Sequence, residues 1–184
     1  MGEDPSRHGE ADDQVLIARW LGGDERAATV LVERHAPALA RYVASLGEHE
    51  SVEEVVQDTF VRAFGSFESF RGESSLRTWL FTIARRLVLD RRRAARRRRE
   101  VLSVEEADAV TEYTALDTMI ADEAQQRVQE AVSRLTPTQR EVFLLRVNEG
   151  LSYRDIARIV GTTEGAARVH FHNALRSVKE RLYV

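Results

Sequence analysis

Apolar residues recur at three- and four-residue spacing along almost the whole sequence, and no stretch alternates apolar with polar as a half-buried strand would. Only three prolines and ten glycines interrupt that period. The chain is therefore expected to be all-α. It reads as two small helical domains joined by a flexible acidic linker, with a helix-turn-helix in the C-terminal one. The expected bounds are a disordered acidic N-terminus at 1–11, a first domain at 12–99, a linker at 100–119 and a second domain at 120–184.

The linker follows from charge. Arg85 to Arg99 reads RRLVLDRRRAARRRR, nine arginines in fifteen residues, in a chain whose net charge is −3. Glu100 to Glu123 then holds eight acidic residues and no Lys or Arg, and the apolar period fades there. Segregation of this kind points to a polyanionic partner for the basic block. Arginine suits phosphate because its guanidinium donates two parallel hydrogen bonds. There is no cysteine, which removes disulfides and thiolate zinc sites. No apolar run approaches the roughly 20 residues of a membrane helix, and the acidic N-terminus is unlike a secretory signal. A soluble, cytoplasmic protein without membrane insertion is expected.

In the first domain, Val15, Leu16 and Leu21 open a helix from about Asp12, and Gly22 to Asp24 is a turn. The next helix carries Leu31, Val32, Leu39 and Val43, and Pro37 is expected to kink or split it. Ser51 and Glu54 have capping-box spacing. The helix they open is expected to reach about Phe67, with Val52, Val56, Phe60 and Ala63 inward. Glu54, Gln57, Asp58, Val61 and Arg62 face outward, and a valine exposed among charges is a sign of a protein partner. Phe70 to Ser75 is a loop, and Ser74 or Ser75 caps the helix that runs into the arginines. That helix is expected to bury Leu76, Trp79, Leu80, Ile83 and Leu87. Thr78, Thr82, Arg85, Arg86 and Arg93 fall on or near the other side, together with Phe81 and Leu89.

In the second domain, Thr136, Pro137 and Gln139 form a helix start with a capping box. Ser152 caps a short helix over 153–160 with Ile156, Ala157 and Val160 inward. Gly161 to Thr163 is a tight turn, and a last helix runs from about Glu164 to Leu182. Short helix, glycine turn and longer helix make a helix-turn-helix, whose second helix enters the major groove. Ala167, Phe171, Ala174, Leu175, Val178 and Leu182 share its inner face. Ala166, Val169, Asn173 and Arg176 lie opposite, flanked by Arg168 and His172. Asn pairs with adenine and Arg with guanine. His170 and His172 point in different directions and have no third ligand, so no metal is expected. No nucleophile–base pair or phosphate-cradling glycine loop suggests an enzyme, and no catalytic residue or cofactor is expected.

Residues 53–93 (EEVVQDTFVRAFGSFESFRGESSLRTWLFTIARRLVLDRRR) resemble region two of an extracytoplasmic-function sigma factor of the sigma-70 family. Residues 135–182 (LTPTQREVFLLRVNEGLSYRDIARIVGTTEGAARVHFHNALRSVKERL) resemble its region four. The resemblance implies a promoter-specificity subunit of bacterial RNA polymerase that recognises −35 and −10 elements and aids melting. It implies that Glu54, Gln57, Asp58, Val61 and Arg62 dock on the clamp helices of the largest polymerase subunit, with a further contact to the flap of the second-largest. It assigns the −10 element to Phe70, Arg71, Ser74, Ser75, Thr78, Arg85, Arg86, Arg91, Arg92 and Arg93. It assigns the −35 element to Arg168, Val169, His172, Asn173 and Arg176. An anti-sigma factor is implied as a further partner, and the free protein is expected to be a monomer. Arg86 stands where many members carry asparagine, and the run beyond Arg93 is longer than the family pattern requires. The competing reading is an autonomous helix-turn-helix regulator that does not use the polymerase core.

Overall fold

The computed structural model describes residues 5–101 and 123–182. Within them the chain is helical, with no strand. It divides into two units, residues 1–44 with 48–93 and residues 45–47 with 94–184. Most of the expected acidic linker, residues 102–119, lies outside the described residues. Among the described residues no helix is long and apolar enough to cross a membrane.

The first unit contains α1 (Pro5–Leu21), α2 (Glu25–Ser45), α3 (Val52–Phe64), a 3-10 turn (Phe67–Ser69) and most of α4 (Leu76–Val101). Helix α1 begins at Pro5 and not at Asp12. Proline suits a first helical position, where its missing N–H would have had no partner. Residues 5–11 are thus helical where a disordered segment was expected. Helices α1 and α2 are tied by the buried Asp13. Its carboxylate takes Arg34 Nη1 at 2.7 Å and His35 Nε2 at 2.9 Å, one on each oxygen.

Helix α2 runs uninterrupted through Pro37, which does not split it. Pro37 and Glu33 both lie on the exposed side. The Glu33 carbonyl, which loses its partner to the proline ring, can turn to water there. Helix α3 buries Val55, Thr59, Phe60 and Ala63, while Val52 and Val56 are only half-buried. The inner face is turned by one position from the expected one. Thr59 fits inside because its hydroxyl donates to the Val55 carbonyl at 2.7 Å. The helix stops at Phe64, short of Phe67.

Helix α4 is buried over more than one stripe. Leu76, Leu80, Ala84, Leu87 and Val88 are inside, and so are Thr78 and Phe81, each 1% exposed. The Phe81 ring lies 4.8 Å from that of Tyr42 on α2, so the side expected to face outward is covered. Aromatic rings link the other elements: Trp20 to Phe64 (5.0 Å), Phe64 to Phe67 (5.4 Å), Phe67 to Trp79 (5.7 Å) and Trp79 to Phe70 (4.9 Å). Spacings of this size are those of favourable tilted and edge-on aromatic pairs.

The second unit holds α5 (Glu123–Ser133), α6 (Pro137–Val147), α7 (Tyr153–Val160) and α8 (Glu164–Leu182). The Thr136 capping box forms as expected, with Thr136 N donating to Gln139 Oε1 at 3.3 Å and Gln139 N to Thr136 Oγ1 at 3.4 Å. Arg140 reaches back from α6 to the carbonyls of Val132, Ser133 and Leu135 at and just after the end of α5, where helical carbonyls run out of partners within the helix. The core joins Ala131, Val132, Leu135, Phe143, Ala174 and Val178, with Phe171, Leu175 and Leu182 packed against it.

Candidate nucleic-acid interface

Three short-range devices set the helix-turn-helix. Ser152 Oγ accepts from Asp155 N at 3.1 Å and starts α7. Gly161 ends it at φ 77°, ψ 43°, a left-handed conformation that a Cβ would oppose. Thr163 Oγ1 accepts from Ala166 N at 3.1 Å and starts α8. Ile156, Ala157 and Ile159 are buried, whereas Val160, expected inside, is only half-buried. The left-handed cap at Gly161 turns the chain just after it.

On α8, Arg168, Val169, His172 and Arg176 are exposed and Asn173 is half-exposed. The five expected reading positions therefore form one accessible stripe. Asn173 Oδ1 accepts from Arg176 Nη2 at 3.4 Å. Arg168 pairs with Glu164 at 3.0 Å. Two residues outside the expected set complete this corner. The Tyr153 ring lies under the guanidinium of Arg168 and under that of Arg146, each 4.9 Å from its centroid. Arg146 also donates to the Leu151 carbonyl at 2.6 Å. An aromatic directly after a helix cap was the available signal for Tyr153; nothing local signals Arg146.

In the first unit, Glu54, Gln57, Val61 and Arg62 are exposed and Asp58 is half-exposed. Their spacing of three and four residues puts them on one stripe of α3. Val61, 64% exposed, sits among the charges. Glu54 does not close a capping box with Ser51, which makes no side-chain cap bond. It is held instead by Arg91, whose Nη2 lies 2.6 Å from Glu54 Oε1 and whose Nη1 donates to Oε2 at 3.0 Å. The same Nη2 is 3.2 Å from Asp58. A two-pronged pair of this kind is stronger and more directional than a single contact. Arg91, expected among the −10 contacts, thus lies on the α3 stripe expected to meet a protein.

The hydrogen bonds from Arg91, and secondly its charge, hold the Glu54 carboxyl below the usual carboxylate range. Because the folded value is the lower one, the pair stabilises the fold above the ordinary carboxylate pKa. That contribution is lost as pH falls through the depressed value. In Arg91→Ala the Glu54 titration is expected to move up toward the ordinary range, followed by carboxyl NMR shifts. An unmoved titration would show that another group holds it.

The loop from Phe70 to Ser75 is set by its ends. Phe70 stacks on Trp79, and Gly72 takes a φ of +67°. Ser75 Oγ accepts from Thr78 N at 3.1 Å and donates to Thr78 Oγ1 at 3.0 Å. Ser75, not Ser74, is the cap. Thr78, expected to contact DNA, is buried and its hydroxyl is engaged, so it serves to hold the loop. Arg71, Arg86, Arg92 and Arg93 are exposed, while Phe70, Ser74, Ser75, Arg85 and Arg91 are half-buried. Arg92 lies 3.3 Å from Glu48, and Arg93 3.4 Å from Asp90. Among the described residues no group of His, Cys, Asp and Glu could hold a metal.

A basic-faced helix-turn-helix preceded by an arginine-bearing helical unit defines a modular DNA-binding protein. Residues 31–98 match the family described as Sigma-70 region 2, and residues 125–178 match Sigma-70, region 4. The ECF RNA polymerase sigma-E factor of Haemophilus influenzae is 32% identical over 92% of this chain and 95% of its own length. That of Escherichia coli K12 is 30% identical over 92% and 94%. Among solved structures, the sigma factor RpoE of Bartonella quintana in complex with the anti-sigma factor NepR is similar, with a TM-score of 0.68 and 29% identity over 85% of this chain and 96% of that one. CnrH in complex with the cytosolic domain of CnrY is similar with a TM-score of 0.65 and 28% identity over 93% and 97%. The chain belongs to the ECF sigma factors of RNA polymerase.

Proposed function

We propose that this chain is a promoter-specificity subunit that binds core RNA polymerase inside the cytoplasm and directs initiation at −35 and −10 elements, with no catalysis of its own. The observation that carries the reading is the ordered match to both sigma regions within one chain, alongside 32% identity over 92% of it to the Haemophilus influenzae ECF sigma-E factor. The α8 stripe, Arg168 to Arg176, reads the −35 duplex, with Tyr153 as a platform beneath Arg168. The α3 stripe, Glu54 to Arg62, docks on the clamp helices of the largest subunit, and the second unit meets the flap of the second-largest. The loop from Phe70 to Ser75 and Arg86, Arg92 and Arg93 of α4 meet the melted −10 strand. Extruding a base there costs a few kcal/mol, which the polymerase complex must offset. Two similar structures are of complexes with NepR and with CnrY, the former titled an anti-sigma factor, which supports control by such a partner.

The test is reconstitution with core polymerase and promoter DNA. The expected result is core association and initiation at defined start sites. A protein that binds an operator tightly alone and never joins the polymerase would establish the autonomous regulator instead.

A further inference from the structure

Helix α4 continues unbroken to Val101. Its last turns carry Arg96, Arg97, Arg98 and Arg99, all exposed. At 100° per residue, four consecutive positions surround the helix, so no side is left to pack against a core. Arg96 meets Glu100 at 3.0 Å, with side-chain exposures of 81% and 61%, and a pair so exposed contributes little. Arg97, Arg98 and Arg99 have no partner among the described residues. Like charges at this spacing repel, and among the described residues only the exposed Arg96–Glu100 pair offsets any of that repulsion.

Four exposed guanidiniums with no apolar face beside them suit a polyanion. A lipid surface wants an apolar stripe beside the charge, and this segment has none. Guanidinium forks match phosphate oxygens two at a time. The run also closes the part of the chain that matches sigma region 2, a match that ends at Arg98, and so precedes in chain order the helix-turn-helix of region 4. On a promoter, duplex DNA separates the elements those regions would read. We infer that Arg96–Arg99 form a sequence-independent contact to the phosphates of this intervening duplex, separate from both element-reading surfaces. The inference rests on the sigma reading.

The contact carries affinity and no base information. Its signature is therefore salt dependence. Each lost phosphate contact takes about 0.9 off the slope of log Kobs against log salt, so losing three lowers it by about 2.7. The test compares the full chain with its R96Q/R97Q/R98Q/R99Q variant, both bound to core polymerase, on a promoter duplex titrated from low to moderate salt. The variant is expected to keep core association and start-site choice but lose two to four contacts' worth of slope, about 1.8 to 3.6. Lys at all four positions should restore the slope. As a check independent of variant folding, methylphosphonate linkages confined to the intervening duplex should lower the wild-type slope and leave the variant unchanged. An unchanged slope in a variant that still joins polymerase and initiates would overturn the inference alone. So would a slope lost equally when the neutral linkages lie outside that duplex. Failure of the wild-type protein to join polymerase would instead overturn the sigma reading.

Discussion

Replacing Phe81 with alanine is expected to unfold the first unit about 2 M earlier in urea. Phe81 is 1% exposed and stacks on Tyr42 at 4.8 Å. Deleting a buried phenyl ring removes its transfer energy and leaves a cavity, a loss of about 3–5 kcal/mol. A small domain loses about 1–3 kcal/mol per molar urea, which gives the size of the shift. The molecule offers a selective probe, because both tryptophans, Trp20 and Trp79, belong to the first unit. Tryptophan fluorescence should show the early transition. Far-UV circular dichroism should show it too, followed by a second transition at the wild-type midpoint from the helices of the second unit. A variant whose fluorescence midpoint moves by less than a few tenths molar would mean that Phe81 does not support the core. If Phe81 faced outward, as its place on a single-stripe helix suggests, that small shift is what would be seen.

Asn173→Ala is expected to abolish base discrimination at one −35 position while leaving stability almost untouched. A bidentate Asn–adenine pair is worth about 1–3 kcal/mol, or roughly 5- to 150-fold between the preferred base and its replacement. The residue is half-exposed and its one described bond, to Arg176 at 3.4 Å, lies on the surface. Removing it leaves no buried group without a partner. Binding by the polymerase-bound protein to promoters permuted at the −35 element reads the effect. Loss spread evenly over all sequences would make Asn173 a phosphate contact, and no loss would remove it from the interface.

What was legible in the sequence divides by the range of the interaction. Caps built within four residues were readable: Thr136 with Gln139 forms its box, and Ser152 and Gly161 start and end α7 as expected. Ser51 with Glu54 has the same spacing and fails, because Arg91, 37 residues away, takes the glutamate. No local pattern carries that information. The apolar wheel placed the α8 core well, since that helix packs along one stripe. It misplaced Phe81 and Thr78 because α4 is covered on more than one side, and it turned α3 by one position because it could not count Thr59 as a core residue. The accessibility of the α8 stripe, Arg168, Val169, His172, Asn173 and Arg176, was legible residue by residue. The platform under Arg168 was not, since Arg146 and Tyr153 come from two other helices and meet it only in the fold.

That platform makes the positions proposed to read the −35 element unequal in how freely they can drift. Any replacement of Arg168 gives up its stack on Tyr153 and its pair with Glu164 together. It also leaves Arg146 alone on the ring. Val169, 57% exposed, has no such ties. A lineage descended from this chain could change its promoter preference cheaply at Val169 and only by coordinated substitutions at Arg168. Relatives with divergent −35 preferences should therefore vary first at the valine, and the arginine and tyrosine should be exchanged as a pair.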